Sequence, residues 1–78
     1  MDHIDGGAGP LIRDAIKAAG RSQRWTAEAA GIPHTTFQRK LDGHTDFYLG
    51  EIRRIARALG VTPSVLTPAD LRETEKAA

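Results

Sequence analysis

Apolar residues recur along this chain at spacings of three and four, and nowhere alternate with polar ones as a half-buried strand requires. Leu11, Ile12, Ala15, Ile16 and Ala19 form one stripe, opened by Pro10 and closed by Gly20. Arg13, Asp14 and Lys17 fall largely on the wet side of the same predicted helix. Ser22 is a good N-cap for a second, Ala-rich helix that runs to Ala30. Gly31 can take φ > 0, which ends that helix and turns the chain. Ile32 follows as an apolar plug, and Pro33 suits the first turn of a third helix running to about Leu41. There Phe37 and Leu41 lie four apart on one side, His34, Thr35, Gln38 and Arg39 lie on the other, and Gly43 supplies the stop. Residues 42–48 read as a loop. Leu49, Ile52, Ile55, Ala56 and Leu59 predict a fourth helix ending at Gly60. Thr62 and Pro63 start a fifth, one-turn helix through Val65 and Leu66, and Thr67–Pro68 repeats that start signal. The expected fold class is all-α, a compact five-helix bundle over residues 10–67. A flexible tail is expected at 1–9, and a helical or frayed one at 68–78.

Composition narrows this picture in two ways. A chain of 78 residues is one small domain, burying only about 60–65% of its unfolded surface. It has no cysteine, so neither a disulfide nor a thiolate metal site contributes. No apolar run approaches the roughly 20 residues of a membrane span, and no signal-peptide pattern opens the chain, so a cytoplasmic location is expected. The net charge of +1 hides an uneven distribution. Residues 10–60 hold nine Lys and Arg against five Asp and Glu, while both ends are slightly acidic. A basic middle fits a polyanion partner.

Enzymatic chemistry finds little support. His3, His34 and His44 show no metal-ligand spacing, with one another or with carboxylates. Ser22 and Ser64 lack any nucleophile setting, and no Gly-rich phosphate loop follows a strand. We therefore expect no cofactor, no metal and no small-molecule substrate.

A short helix with a packed back and a polar, basic front has the shape that enters a DNA major groove. The order of elements carries a family resemblance as well. Ser22-Gln23 opens helix two, Ala27 lies four before the turn, and Gly31-Ile32 makes the turn itself. Thr35-Thr36-Phe37, Leu41-Asp42-Gly43 and Ile55-Ala56-Arg57-Ala58-Leu59-Gly60-Val61-Thr62 continue the pattern. In these residues the chain resembles the Cro/phage-repressor helix-turn-helix family, also called XRE, over roughly residues 10–66. The resemblance implies a lambda-repressor-like fold and a transcriptional regulator, of repressor type, that binds double-stranded DNA as a homodimer on two operator half-sites. Relatives usually carry Leu four or five residues before the turn glycine, where Thr26 stands here with Trp25 beside it, and Leu or Ile at the positions of Ala30 and Lys40. Trp25 is expected to turn inward and fill the space.

Carried onto this chain, the base-reading positions of such repressors are His34, Thr35, Gln38 and Arg39. Their chemistry agrees. Arg39 can donate twice to guanine, and Gln38 can pair with the N6 and N7 of adenine. Thr35 offers a methyl and a hydroxyl, and His34 offers a ring N–H. Candidate phosphate contacts are Arg21, Ser22, Gln23 and Arg24, at a helix N-terminus that favours anions. Thr36, Lys40, His44 and Thr45 complete that set, Lys40 through its long stem. Relatives place an amide at the position of Gln23 that bonds a phosphate and braces the recognition helix. Trp25, Phe37 and Phe47 read as core, Arg53, Arg54 and Arg57 as a solvated face, and the Tyr48 hydroxyl as within reach of a phosphate. Val61, Val65, Leu66 and Leu71 offer a small apolar patch for dimerisation or for completing the core. The alternative to a regulator is an antitoxin-like or adaptor module using the same fold to bind protein.

Overall fold

The computed structural model describes residues 3–4 and 7–67. Four helices carry the fold: α1 (Ala8–Ala18), α2 (Gln23–Ala30), α3 (His34–Leu41) and α4 (Leu49–Leu59). The expected fifth helix is a single 3-10 turn, Pro63–Leu66, with Pro63 in its first turn. Two short strands not anticipated from the sequence, β1 (His3–Ile4) and β2 (Phe47–Tyr48), pair antiparallel with His3 opposite Tyr48 and Ile4 opposite Phe47. Two residues are too few to show alternation, so such a pair leaves no periodic signal. Leu71 and the expected segment at 68–76 lie outside the described residues.

One core serves all the elements. Ile12 and Ile16 of α1, Phe37 and Leu41 of α3, Phe47 of β2, Ile52 and Ile55 of α4, and Leu66 of the 3-10 turn are all buried in it. Phe37 and Phe47 meet edge to face, 5.9 Å between ring centroids, an arrangement that aromatic quadrupoles favour. The stripes read from the sequence are the buried faces, although Leu11, Ala15, Leu49 and Leu59 are only half-buried and Ala19 is exposed. Leu66 completes the core, leaving Val65 exposed and Val61 half-buried.

α1 starts at Ala8, two residues before the proline expected to open it. The reason is a close approach between backbones. A Cβ on Gly9 would stand 2.6 Å from the carbonyl oxygen of Leu41. Only glycine lets the start of α1 lie directly on the end of α3.

α2 packs most extensively on α4. Here the expectation for Trp25 is reversed: it is half-buried at the rim, and Thr26 is the fully buried residue. Thr26 is accommodated because its Oγ1 donates to the Ser22 carbonyl at 2.9 Å, so its hydroxyl is buried with a partner. Ala27 and Ala30 then let the two helices come close. Arg54 ties them further, its Nε donating to the Ala30 carbonyl at 2.9 Å, while Arg53, Arg54 and Arg57 are all exposed, as the solvated face expected of them.

Candidate nucleic-acid interface

The turn between α2 and α3 is built as its residues suggest. Gly31 has φ +73° and donates to Glu28, while the Ile32 N–H reaches back to the Ala27 carbonyl at 2.9 Å. Those bonds satisfy carbonyls left open at the end of α2. Ile32 is buried, which pins the turn to the core and sets where α3 begins. Pro33 is the N-cap of α3 rather than its first residue, and the Phe37 N–H bonds its carbonyl at 2.9 Å.

With Phe37 and Leu41 inward, α3 turns its other face out. Thr35 and Arg39 are exposed, and His34, Thr36 and Gln38 are half-buried. Positions 34, 35, 38 and 39 sit on one face, one turn apart in pairs. Gln38 also reaches sideways, its amide N–H donating to the Gln23 side-chain oxygen. Thus the first residue of α2 and the middle of α3 are directly joined. Gln38 keeps a second N–H and its carbonyl oxygen for another partner.

At the start of α2, the Ser22 hydroxyl accepts the Trp25 N–H at 2.9 Å. Ser22 is therefore a working cap, and the N–H groups of Gln23 and Arg24 remain outside the helix's own ladder. Arg24 is exposed. Arg21 is exposed too, and its guanidinium carbon lies 4.1 Å from the centre of the Trp25 ring. The four-residue spacing of Arg21 and Trp25 is the sequence signal that links them.

Lys40 is the residue the structure moves out of the set. Its side chain is 7% exposed and its Nζ lies 2.6 Å from Oε1 of Glu51. The ammonium also stands 4.3 Å from the Tyr48 ring centre, and Glu51 accepts the Tyr48 N–H at 2.8 Å. A lysine takes the place of the relatives' Leu or Ile because an acid of α4 meets it inside. The phosphate role expected of Lys40 is therefore corrected: its charge is spent within the fold, joining the end of α3 to the start of α4. Glu51 was not singled out from the sequence; its meeting with Lys40 depends on how the two helices pack.

His44 and Thr45 are exposed just past α3, where the His44 N–H bonds the Arg39 carbonyl at 2.9 Å. Thr36, Arg39 and Thr45 share with Asp46, Tyr48 and the largely buried Lys40 the lining of a groove of about 470 Å³ on the flank of α3. Tyr48 is exposed there. Arg13 on α1 pairs with Asp42 at 2.5 Å, an exposed contact of the kind that contributes about 0–1 kcal/mol.

Two short helices joined by a glycine turn, the second offering a polar face braced by the first, define a helix-turn-helix protein, a class of DNA-binding regulators. The sequence profile of the helix-turn-helix domain matches residues 9–69, and the chain belongs to that family, consistent with the Cro-like resemblance of its motifs. No curated protein and no solved structure matches it. Among the described residues, no helix is long and apolar enough to cross a membrane.

Proposed function

We propose that this protein is a sequence-specific regulator of transcription, a repressor of phage or bacterial type acting in the cytoplasm, that inserts α3 into the major groove of double-stranded DNA. One observation supports this above the others: Gln38 is held by Gln23 while Thr35 and Arg39 stay exposed on the same face. A recognition helix needs both, a fixed aim and free donors. Arg39 reads guanine, Gln38 reads adenine, and Thr35 and His34 contact neighbouring base edges. Arg21, Ser22, Gln23 and Arg24 hold phosphates on one flank, and Thr36, His44 and Thr45 on the other. The regulator works as a homodimer on half-sites about one helical turn apart, with Val65 and Val61 as the apolar surface for the second copy.

The test is selection of bound sequences from a random duplex library near physiological salt, across a range of protein concentrations. Enrichment of a short motif supports base readout, and an inverted repeat of it supports the dimer. A single unpaired motif sinks the dimer alone. Salt-sensitive retention with no enrichment rejects the reading in favour of an antitoxin-like or adaptor module.

A further inference from the structure

The exposed rim of α2 holds a pairing that base readout does not use. Arg21 immediately precedes the N-cap, and its guanidinium lies over the face of Trp25, the chain's one tryptophan. A cation over an indole is attracted by the ring's negative face. The stacking occupies one face of the guanidinium and leaves its N–H edges free, and those edges match the geometry of a phosphate. Trp25 is only half-buried, and the fully buried position beside it belongs to Thr26. Its ring is thus available as a platform at the surface. The Trp25 backbone N–H in turn donates to the Ser22 hydroxyl, which fixes the backbone beneath the ring at the same helix end.

We infer that Trp25 is a positioning residue of the DNA interface: it holds Arg21 extended over its ring, aimed at a backbone phosphate at the start of α2. This rests on the DNA-binding reading above and adds to it a residue that touches no nucleotide. An unstacked arginine samples many rotamers and must be ordered when DNA arrives, whereas a stacked one is ordered beforehand. Surface contacts of this kind correspond to about two- to fivefold in affinity.

The experiment measures duplex affinity and its salt dependence for the full chain and for Trp25→Leu, Trp25→Phe, Arg21→Ala and the Arg21→Ala/Trp25→Leu double variant. Trp25→Leu should lose about two- to fivefold on selected and unselected duplexes alike, and Trp25→Phe, which keeps an aromatic face, should recover most of it. Arg21→Ala should lower the salt slope by about one unit, and adding Trp25→Leu to it should cost nothing more. A Trp25→Leu protein that binds like the parent, or whose loss persists undiminished without Arg21, overturns the inference. Proton chemical shifts of Arg21 give a check that needs no variant. Ring-current displacement retained in the duplex complex supports the platform, and its disappearance there refutes it. If the parent chain binds no duplex at all, the DNA-binding reading itself has failed, which the parent's own isotherm reveals.

Discussion

Arg39 and Lys40 are adjacent bases on α3 with opposite fates, and they make the cleanest pair of predictions at the scale of single residues. Arg39 is exposed, so Arg39→Ala should leave the fold intact, cost about 1–3 kcal/mol on the selected site and relax preference at one base pair. Competition binding against single-base operator variants checks this; an unchanged specificity profile would mean that α3 is aimed differently. Lys40 is 7% exposed against Glu51, and removing one member of a buried pair strands the other. Lys40→Met should therefore lower stability by about 3 kcal/mol in urea denaturation, while the salt slope of DNA binding stays at the parental value. A phosphate-binding lysine would give the reverse pattern. From the sequence alone the two could not be separated, since helical spacing puts Lys40 between faces and its partner lies eleven residues on, in another helix. Trp25, read as core, is only half-buried for a related reason. Hydrophobicity favours burying the indole, but the neighbouring Thr26 is the residue fully buried, with its hydroxyl bonded to the Ser22 carbonyl.

At the scale of elements, the sequence was most informative where a side chain dictates local backbone. Gly31 and Gly60 are both left-handed helix caps, with φ +73° and +72°, as their places after the last apolar residue suggested. Phe37 and Leu41 were legible as the buried back of α3 from spacing alone, and Phe37 is fully buried. Phe37→Ala should cost about 3–5 kcal/mol, enough to leave a domain this small largely unfolded in a thermal scan. A mutant melting like the parent would contradict its place in the core. Gly9 was not legible, because nothing local demands glycine inside α1; the demand comes from the Leu41 carbonyl of another helix. Alanine is ordinarily the better helix former, so Gly9→Ala tests which effect dominates. The contact at 2.6 Å involves backbone that cannot swing away, and overpacking of this sort costs about 1–3 kcal/mol. Calorimetry should show a lower melting temperature, and a rise would mean that α1 slides easily over the end of α3.

For the molecule as a whole, the predicted readout is electrostatic and is not tied to any one base. The central excess of base, nine Lys and Arg against five acids between residues 10 and 60, is left unchanged by the internal Lys40–Glu51 pair, which takes up one base and one acid. Arg24 remains exposed at the start of α2. Arg24→Ala should weaken binding to every duplex alike and reduce the salt slope by about one unit, as titrations at several salt concentrations would show. A loss confined to the selected site would instead make Arg24 a base reader. The bond between Gln38 and Gln23 carries one more consequence, for how such a protein can acquire a new target. A substitution at Gln38 changes the residue proposed to read adenine and in the same stroke releases the amide that steadies α2 against α3. Variants with altered operator preference should then arise as pairs at 23 and 38 more readily than as single steps, and the two positions should show strong epistasis in any saturation library.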